Sequence, residues 1–201
     1  MILIVSATSQ ETAFLAPQPG IELLVTGVGP VEAAAQLSRA LAQGHYDLVV
    51  SAGIAGAYTH DLAIGEGVVV AEERLELDLE TGAALTLPAG LSVADRVVSD
   101  LALVDRLVEF GFKSVRGVTV TRVTSTSATA RRLREAGAEV ETMEGFAVLR
   151  AAEIAGLPAV EIRGISNYAG DRAESQWNFA AGTEGLARIA AALLSLESTA
   201  Q

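Results

Sequence analysis

The chain has 201 residues, half of them apolar and only 4% aromatic, with a formal net charge of -11, two histidines and no cysteine. That length fits one α/β domain whose core is built from Val, Ile, Leu and Ala. The missing thiols exclude disulfides, cysteine nucleophiles and Cys-based metal sites, and the acidic balance argues against a nucleic-acid partner, because it repels a phosphate backbone.

Met1 leads directly into an apolar run at residues 2–5, without a basic leader segment. That run has no polar interruption, as in a strand buried on both faces. Residues 23–26 read as a second strand. A turn, Thr26-Gly27-Val28-Gly29, precedes a helix over Pro30–Gln43, with Pro30 suited to its first turn and Gly44 to its end. Residues 47–52 form a third strand and residues 66–71 a fourth. A helix is predicted over 93–110, closed by Gly111. A strand follows at 118–123, then a short helix at 128–135 with a basic solvent face that ends at Gly137. A strand at 139–141, a helix at 145–155 stopped by Gly156 and Pro158, and a strand at 159–165 come next. The last helix, 183–196, puts Leu186, Ile189, Ala190, Leu193 and Leu196 on one face.

This alternation predicts a three-layer α/β/α domain with a central mixed sheet. No linker, repeat or low-complexity stretch divides residues 1–201. The longest apolar run, residues 48–58, falls short of the ~20 residues of a membrane span, so a soluble cytoplasmic protein with no membrane partner is expected. His45 and His60 lie in loop-like surroundings outside any metal-ligand pattern, so no metal site and no cofactor are expected.

The Gly27-Val28-Gly29 turn stands between a strand and a helix, the setting of a dinucleotide fingerprint. The third glycine of such a fingerprint would fall at Glu32. A carboxylate there repels a pyrophosphate at the helix N-terminus. The turn therefore reads as a tight strand-to-helix connection.

Three polar positions carry candidate chemistry. Glu11 follows the first strand, where α/β sheets open ligand crevices. It is either a first-turn residue favouring a helix dipole or a general base lifting a proton from water. Glu144 heads a helix in Glu141-Thr142-Met143-Glu144. There it is an ordinary N-terminal Glu or a bidentate acceptor for two vicinal hydroxyls. Asn167 follows Ser166 at the end of the 160–165 run. It is a loop cap or an amide reading a base that presents both donors and acceptors. A 6-oxopurine does so; adenine's 6-amino group would instead suit a carboxylate.

Glu11, Gly27-Val28-Gly29, Ser51-Ala52-Gly53, Thr142-Met143-Glu144 and Ser166-Asn167 follow one another in an order that resembles the methylthioadenosine/S-adenosylhomocysteine nucleosidases of the nucleoside phosphorylase superfamily. The similarity covers nearly the whole chain. It implies a nucleoside phosphorylase-like fold and a small-molecule nucleoside substrate. It also implies a water-activating role for Glu11, ribose binding by Glu144 beside Thr142 and Met143, and base recognition by Ser166 and Asn167. Gly53 and the Val123-Thr124 backbone would complete the pocket. Asn167 departs from that family, which carries Asp. Asn followed by Tyr168-Ala169-Gly170-Asp171-Arg172 and Trp177 resembles the futalosine hydrolases of the same superfamily, which implies release of hypoxanthine from futalosine in menaquinone biosynthesis. Asp171 is a spare acid, and Arg122 and Arg172 are positions for a carboxylate on the 5′ substituent. Subunits of such proteins usually pair, so a homodimer or higher homo-oligomer is expected, with residues 54–58 as a candidate interface.

Three rivals remain at this level. An adenine-specific nucleosidase would favour adenine nucleosides. A phosphorylase needs arginine and glycine amides around a phosphate, which the 6–11 loop lacks. A binding module without catalysis would have no use for Glu11 as a base.

Overall fold

The computed structural model describes residues 1–77, 83, 85–171 and 177–198. Eight strands form one mixed sheet: β1 (Ile2–Ser6), β2 (Ile21–Val25), β3 (Leu48–Ala57), β4 (Gly67–Leu75), β5 (Arg96–Val98), β6 (Lys113–Thr119), β7 (Val140–Thr142) and β8 (Ala159–Tyr168). Five helices accompany them: α1 (Pro30–Gln43), α2 (Leu101–Glu109), α3 (Ser127–Glu135), α4 (Gly145–Ile154) and α5 (Phe179–Ser198).

One path through the sheet runs β2-β1-β3-β7-β6-β4-β5, and β8 pairs with both β3 and β4. β8 lies parallel to β3 and antiparallel to β4. The far end of β3 then turns to pair antiparallel with β7 through Gly56 and Ala57. The ladder β3-β8-β4-β6-β7-β3 therefore closes on itself, while β1 and β2 extend it on one side. The inside of the closed part is filled by Ala55, Ala57, Val68, Val70, Val115, Val140 and Ile165. Short branched side chains suit so narrow a space, which accounts for the low aromatic content.

The outer faces carry the helices. Leu3, Val5 and Val49 pack with Leu37 of α1 and Phe146, Val148 and Leu149 of α4. Ile4, Val50 and Ile162 pack with Leu103 and Leu107 of α2 and Leu186, Ile189 and Leu193 of α5. The alternation along β1 thus sends Leu3 and Val5 to one layer and Ile4 to the other, the period-2 pattern of a sheet covered on both sides. Each fully buried Leu or Ile contributes about 1.5–3 kcal/mol. The apolar face expected for the last helix is the one that α5 buries. By length and composition α5 is apolar enough to cross a membrane, yet that face lies on the sheet. α5 approaches closely because a Cβ on Gly164 would stand 1.8 Å from the Gly182 carbonyl oxygen.

Two expected elements are corrected. Residues 93–110 are not one helix. Arg96–Val98 pairs antiparallel with β4, and α2 starts only at Leu101, where the Asp100 side chain accepts from the Leu103 N–H as an N-cap. Long-range pairing overrides the continuous helical pattern there. The strand expected at 118–123 is displaced to Lys113–Thr119, in register with β4 and β7, and residues 120–124 leave the sheet as a loop. Residues 54–58 are also not a surface for a partner: Ala55, Ala57 and Tyr58 are buried within this one chain.

Candidate active site

The sheet delivers the chemistry at the carboxyl ends of β1, β3 and β8. β1 ends at Ser6 and the chain turns through residues 9–14. This turn, and not a helix, holds Glu11, which excludes the helix-dipole reading. The Thr8 N–H and hydroxyl donate to Glu11 Oε2 at 2.9 and 3.0 Å, and the Ile54 N–H donates to Oε1 at 3.1 Å. Glu11 is thus 5% exposed and held by donors from the segment after β1 and from within β3.

Glu144 is the residue before α4 and makes no capping bond to its own helix. Its Oε1 accepts instead from the Gly29 N–H at 2.7 Å. Gly29 is the N-cap of α1, with φ 103° and ψ 157°, a conformation that side-chain-bearing residues rarely adopt. The glycine turn therefore aims a helix N-terminus at a carboxylate of its own chain, which explains why the turn has no use for a pyrophosphate. Burial pushes the Glu144 carboxyl up, and nearby Glu11 adds to this; the Arg163 guanidinium and the Gly29 N–H oppose it.

Asn167 lies within β8, not in a loop, and is 2% exposed. The β3–β8 register shifts here: Ala55 pairs with Ile165, and Gly56 with Asn167. Ser166 is the extra residue of this bulge, a device that re-aims side chains at sites. Its hydroxyl lies 2.8 Å from Asn167 Oδ1 and 3.2 Å from the Ala55 carbonyl oxygen. Donation to Oδ1 orients the amide so that Nδ2 carries the donors.

These elements surround one cavity. Glu11, Val123, Thr142, Met143, Glu144, Ser166 and Asn167 all line it, with Thr8, Val28, Ile54, Val120, Trp177 and Phe179. Residues 11, 144 and 167, far apart in sequence, thus meet around a single space. Gly53 and Thr124 do not line it. A Cβ at Gly53 would come within 2.3 Å of Arg163 Nη1 and 2.8 Å of Glu11 Oε1, so this glycine makes room for the residues behind the wall. Thr124 is turned toward Tyr58 and Glu141. Trp177 is half exposed at the cavity edge. Arg122 is exposed, and Arg172 lies outside the described residues. His45 and His60 are exposed; the His60 ring lies against that of Tyr168, tilted by 55° with centroids 4.2 Å apart. Among the described residues no group of three or more metal-ligating side chains assembles.

Sequence reading missed Arg163. It is 2% exposed, its Nε donates to Glu161 Oε1 at 2.8 Å and its Nη2 to Ser51 Oγ at 3.0 Å. The charges of Glu144 and Glu11 both act on it. An Arg and a Glu two apart in a buried strand were the available signal, because two charges on one face of an apolar strand need each other.

The chain matches the family described as Phosphorylase superfamily over residues 5–195. It is 34% identical to the futalosine hydrolase of Thermus thermophilus, with 100% of this chain and 98% of that one covered. Its identity to the futalosine hydrolase of Streptomyces coelicolor is 38%, over 87% of this chain and 80% of that one. In fold it is similar to the methylthioadenosine/S-adenosylhomocysteine nucleosidase of Colwellia psychrerythraea in complex with adenine: TM-score 0.81, 20% identity, 96% of this chain and 94% of that one covered. It is also similar to the Neisseria meningitidis nucleosidase in complex with methylthio-immucillin-A: TM-score 0.79, 18% identity, coverage 97% and 98%. The chain belongs to the phosphorylase superfamily and, within it, to the futalosine hydrolases.

Proposed function

We propose that this cavity hydrolyses the N-glycosidic bond of futalosine and releases hypoxanthine, a step of menaquinone biosynthesis. The observation that carries the residue roles is the meeting of Glu11, Glu144 and Asn167 around one space. Cleavage of such a bond passes through a sugar that resembles an oxocarbenium ion. Glu144, fixed by Gly29, accepts the two ribose hydroxyls and sets negative charge beside the developing cation. Glu11 orients water and takes its proton. Asn167, oriented by Ser166, donates to O6 and N7 of the base as negative charge moves into it. Val120 and Val123 supply an apolar flank for the purine.

Water is the nucleophile in this reading. No Arg or Lys is among the described residues that line the cavity, so none of these would balance a phosphate. An adenine nucleosidase is the second reading; the amide at position 167 opposes it. The decisive assay incubates the protein with futalosine, inosine and methylthioadenosine in phosphate-free buffer and identifies the freed base. Hypoxanthine from futalosine is expected. Adenine release, or an absolute need for phosphate, would overturn the assignment.

The reading extends to a homo-oligomer in the cytoplasm, most simply a dimer. Exposed Val28, Val31 and Trp177 at and beside the cavity mouth support a covering subunit. Solution mass tests it, and a monomer at working concentration would remove it.

A further inference from the structure

Glu11 is held by both oxygens of its carboxylate. The Thr8 N–H and hydroxyl donate to Oε2 at 2.9 and 3.0 Å, and the Ile54 N–H donates to Oε1 at 3.1 Å. These donors keep their places through bonds in which Glu11 takes no part. The Ser6 hydroxyl donates to the Thr8 carbonyl oxygen at 3.1 Å. The Gly27 N–H donates to the Ala7 carbonyl oxygen at 3.0 Å. Ile54 stands in β3 opposite Gly164 of β8. The gap at Gly53 completes the surroundings. A Cβ there would stand 2.3 Å from Arg163 Nη1 and 2.8 Å from Glu11 Oε1, so a guanidinium and the carboxylate border the same small space. Glu161 and Ser51 fix that guanidinium through its Nε and Nη2.

Two donors occupy the lone pairs of Oε2, whereas Oε1 meets one donor among the described residues and keeps a lone pair for a proton. Such donors are charge-assisted, and they fix the plane of the carboxylate as well as its charge. Cutting the Glu11 side chain back removes the acceptor and leaves two N–H groups and a hydroxyl around a nearly buried place. Donors left without an acceptor there are costly, and an incoming anion relieves that cost. We propose that Thr8, Ile54 and the Gly53 gap form a preformed carboxylate hole. In the native chain it aims Oε1 of Glu11 as the atom that takes the proton from water. When the Glu11 side chain is cut back, it takes up a small free carboxylate such as formate.

The role of Oε1 rests on the hydrolase reading; occupation of the hole does not. Melting temperatures of Glu11→Ala and the wild type, with sodium formate or with sodium chloride at equal ionic strength, test the hole without any substrate. A ligand that binds the folded chain raises its stability with concentration. Formate is expected to raise the melting temperature of Glu11→Ala above the chloride control and to leave the wild type unmoved, because its own carboxylate fills the hole. No rise in the variant, or an equal rise in both proteins, overturns the proposal.

Turnover of futalosine gives the second readout. Formate seated on the same donors takes a proton from the attacking water. The water oxygen bonds to C1′ of the ribose as the C1′–N9 bond breaks, the bond pair leaves with hypoxanthine, and the proton passes to that base, which restores formate. Formate should therefore raise kcat of Glu11→Ala saturably, by at least about 10-fold of the 10²–10⁴ lost with the base. With Thr8→Val added, the rescue should shrink to less than about 3-fold, because one charge-assisted donor is gone. A melting shift without rescue overturns the role of Oε1 and leaves the hole. An inactive wild type removes the hydrolase reading, and the melting shift still decides the hole. Thr8→Val alone serves even if Glu11→Ala does not fold. It should lower kcat about 10-fold with KM changed less than about 3-fold, and Thr8→Ser, which keeps the hydroxyl, should restore it. Full turnover in Thr8→Val overturns the proposal.

Discussion

Two carboxylates three residues apart, Glu141 and Glu144, are buried to almost the same degree at the end of β7. Their surroundings differ. Glu141 Oε2 accepts from the Tyr58 hydroxyl at 2.7 Å and from the Thr124 N–H at 3.3 Å, so a buried phenol hydroxyl and a loop N–H both close on the same oxygen. Its charge also helps push the Tyr58 hydroxyl far above the ordinary phenol value, behind burial as the main cause. Glu144 Oε1 is held by a backbone N–H of another element, that of Gly29, and a guanidinium stands nearby. Both residues border the cavity. A buried carboxylate suits substrate binding when rigid backbone holds one oxygen, and it serves structure when hydroxyls of the protein close around it.

The sharpest way to break that comparison lies at the third carboxylate. Glu11→Gln, with folding checked by circular dichroism, should lose about 10²–10⁴-fold in kcat, the span of a general base. Near-normal turnover would remove Glu11 from the scheme. Glu144→Gln comes next. It weakens charge-assisted bonds to both ribose hydroxyls, so kcat/KM should fall by about 10–100-fold, against less than about 3-fold for Glu141→Gln. Equal losses in the two variants would erase the distinction drawn between these residues.

Asn167→Asp sharpens the base end of the cavity. A carboxylate accepts from an amino group and repels O6, so the preference for hypoxanthine over adenine nucleosides should shift by about 10-fold toward adenine; an unchanged ratio would take specificity away from this position. A pH profile supplies a smaller effect. Glu144 must be ionised to accept the hydroxyls, and burial raises its pKa. The acid limb of kcat/KM should therefore fall above the ordinary carboxyl value of about 4.5 and move in Glu144→Gln. The smallest effect belongs to Glu141, which burial also raises. Its folded-state proton stabilises below the unfolded pKa and that contribution is lost as pH rises through the folded value. Glu141→Gln should flatten the decline of melting temperature with rising pH without a comparable change in kcat.

Much of the site was legible as residue types. Glu11, Glu144 and Asn167 stand at strand and helix ends, where an isolated acid or amide has both an ordinary use and a chemical one. What separated the two uses was not local. For Asn167 the loop-cap alternative rests on Asn being a poor strand residue, yet the residue lies inside β8 at a bulge that only the register with β3 creates. Thr124 resembled a pocket residue in order along the chain, but Tyr58 and Glu141 turn it away. Arg163 and Glu161 were passed over within an apolar run, because nothing in sequence order shows that Ser51, Glu73 and Glu144 gather beside them.

By itself the sequence determined the elements whose causes are local. α1 runs Pro30–Gln43 as expected, because Pro30 presets the first turn and Gly44 ends it. The alternation of apolar strands and amphipathic helices determined the layered class in the same way. Only tertiary structure decided where β5 and β6 lie, how β3, β8, β4, β6 and β7 close on themselves, and which buried carboxylates face the cavity. Strand pairing and desolvation join residues tens of positions apart, so their energy resides in the assembled partners and in no single stretch of chain.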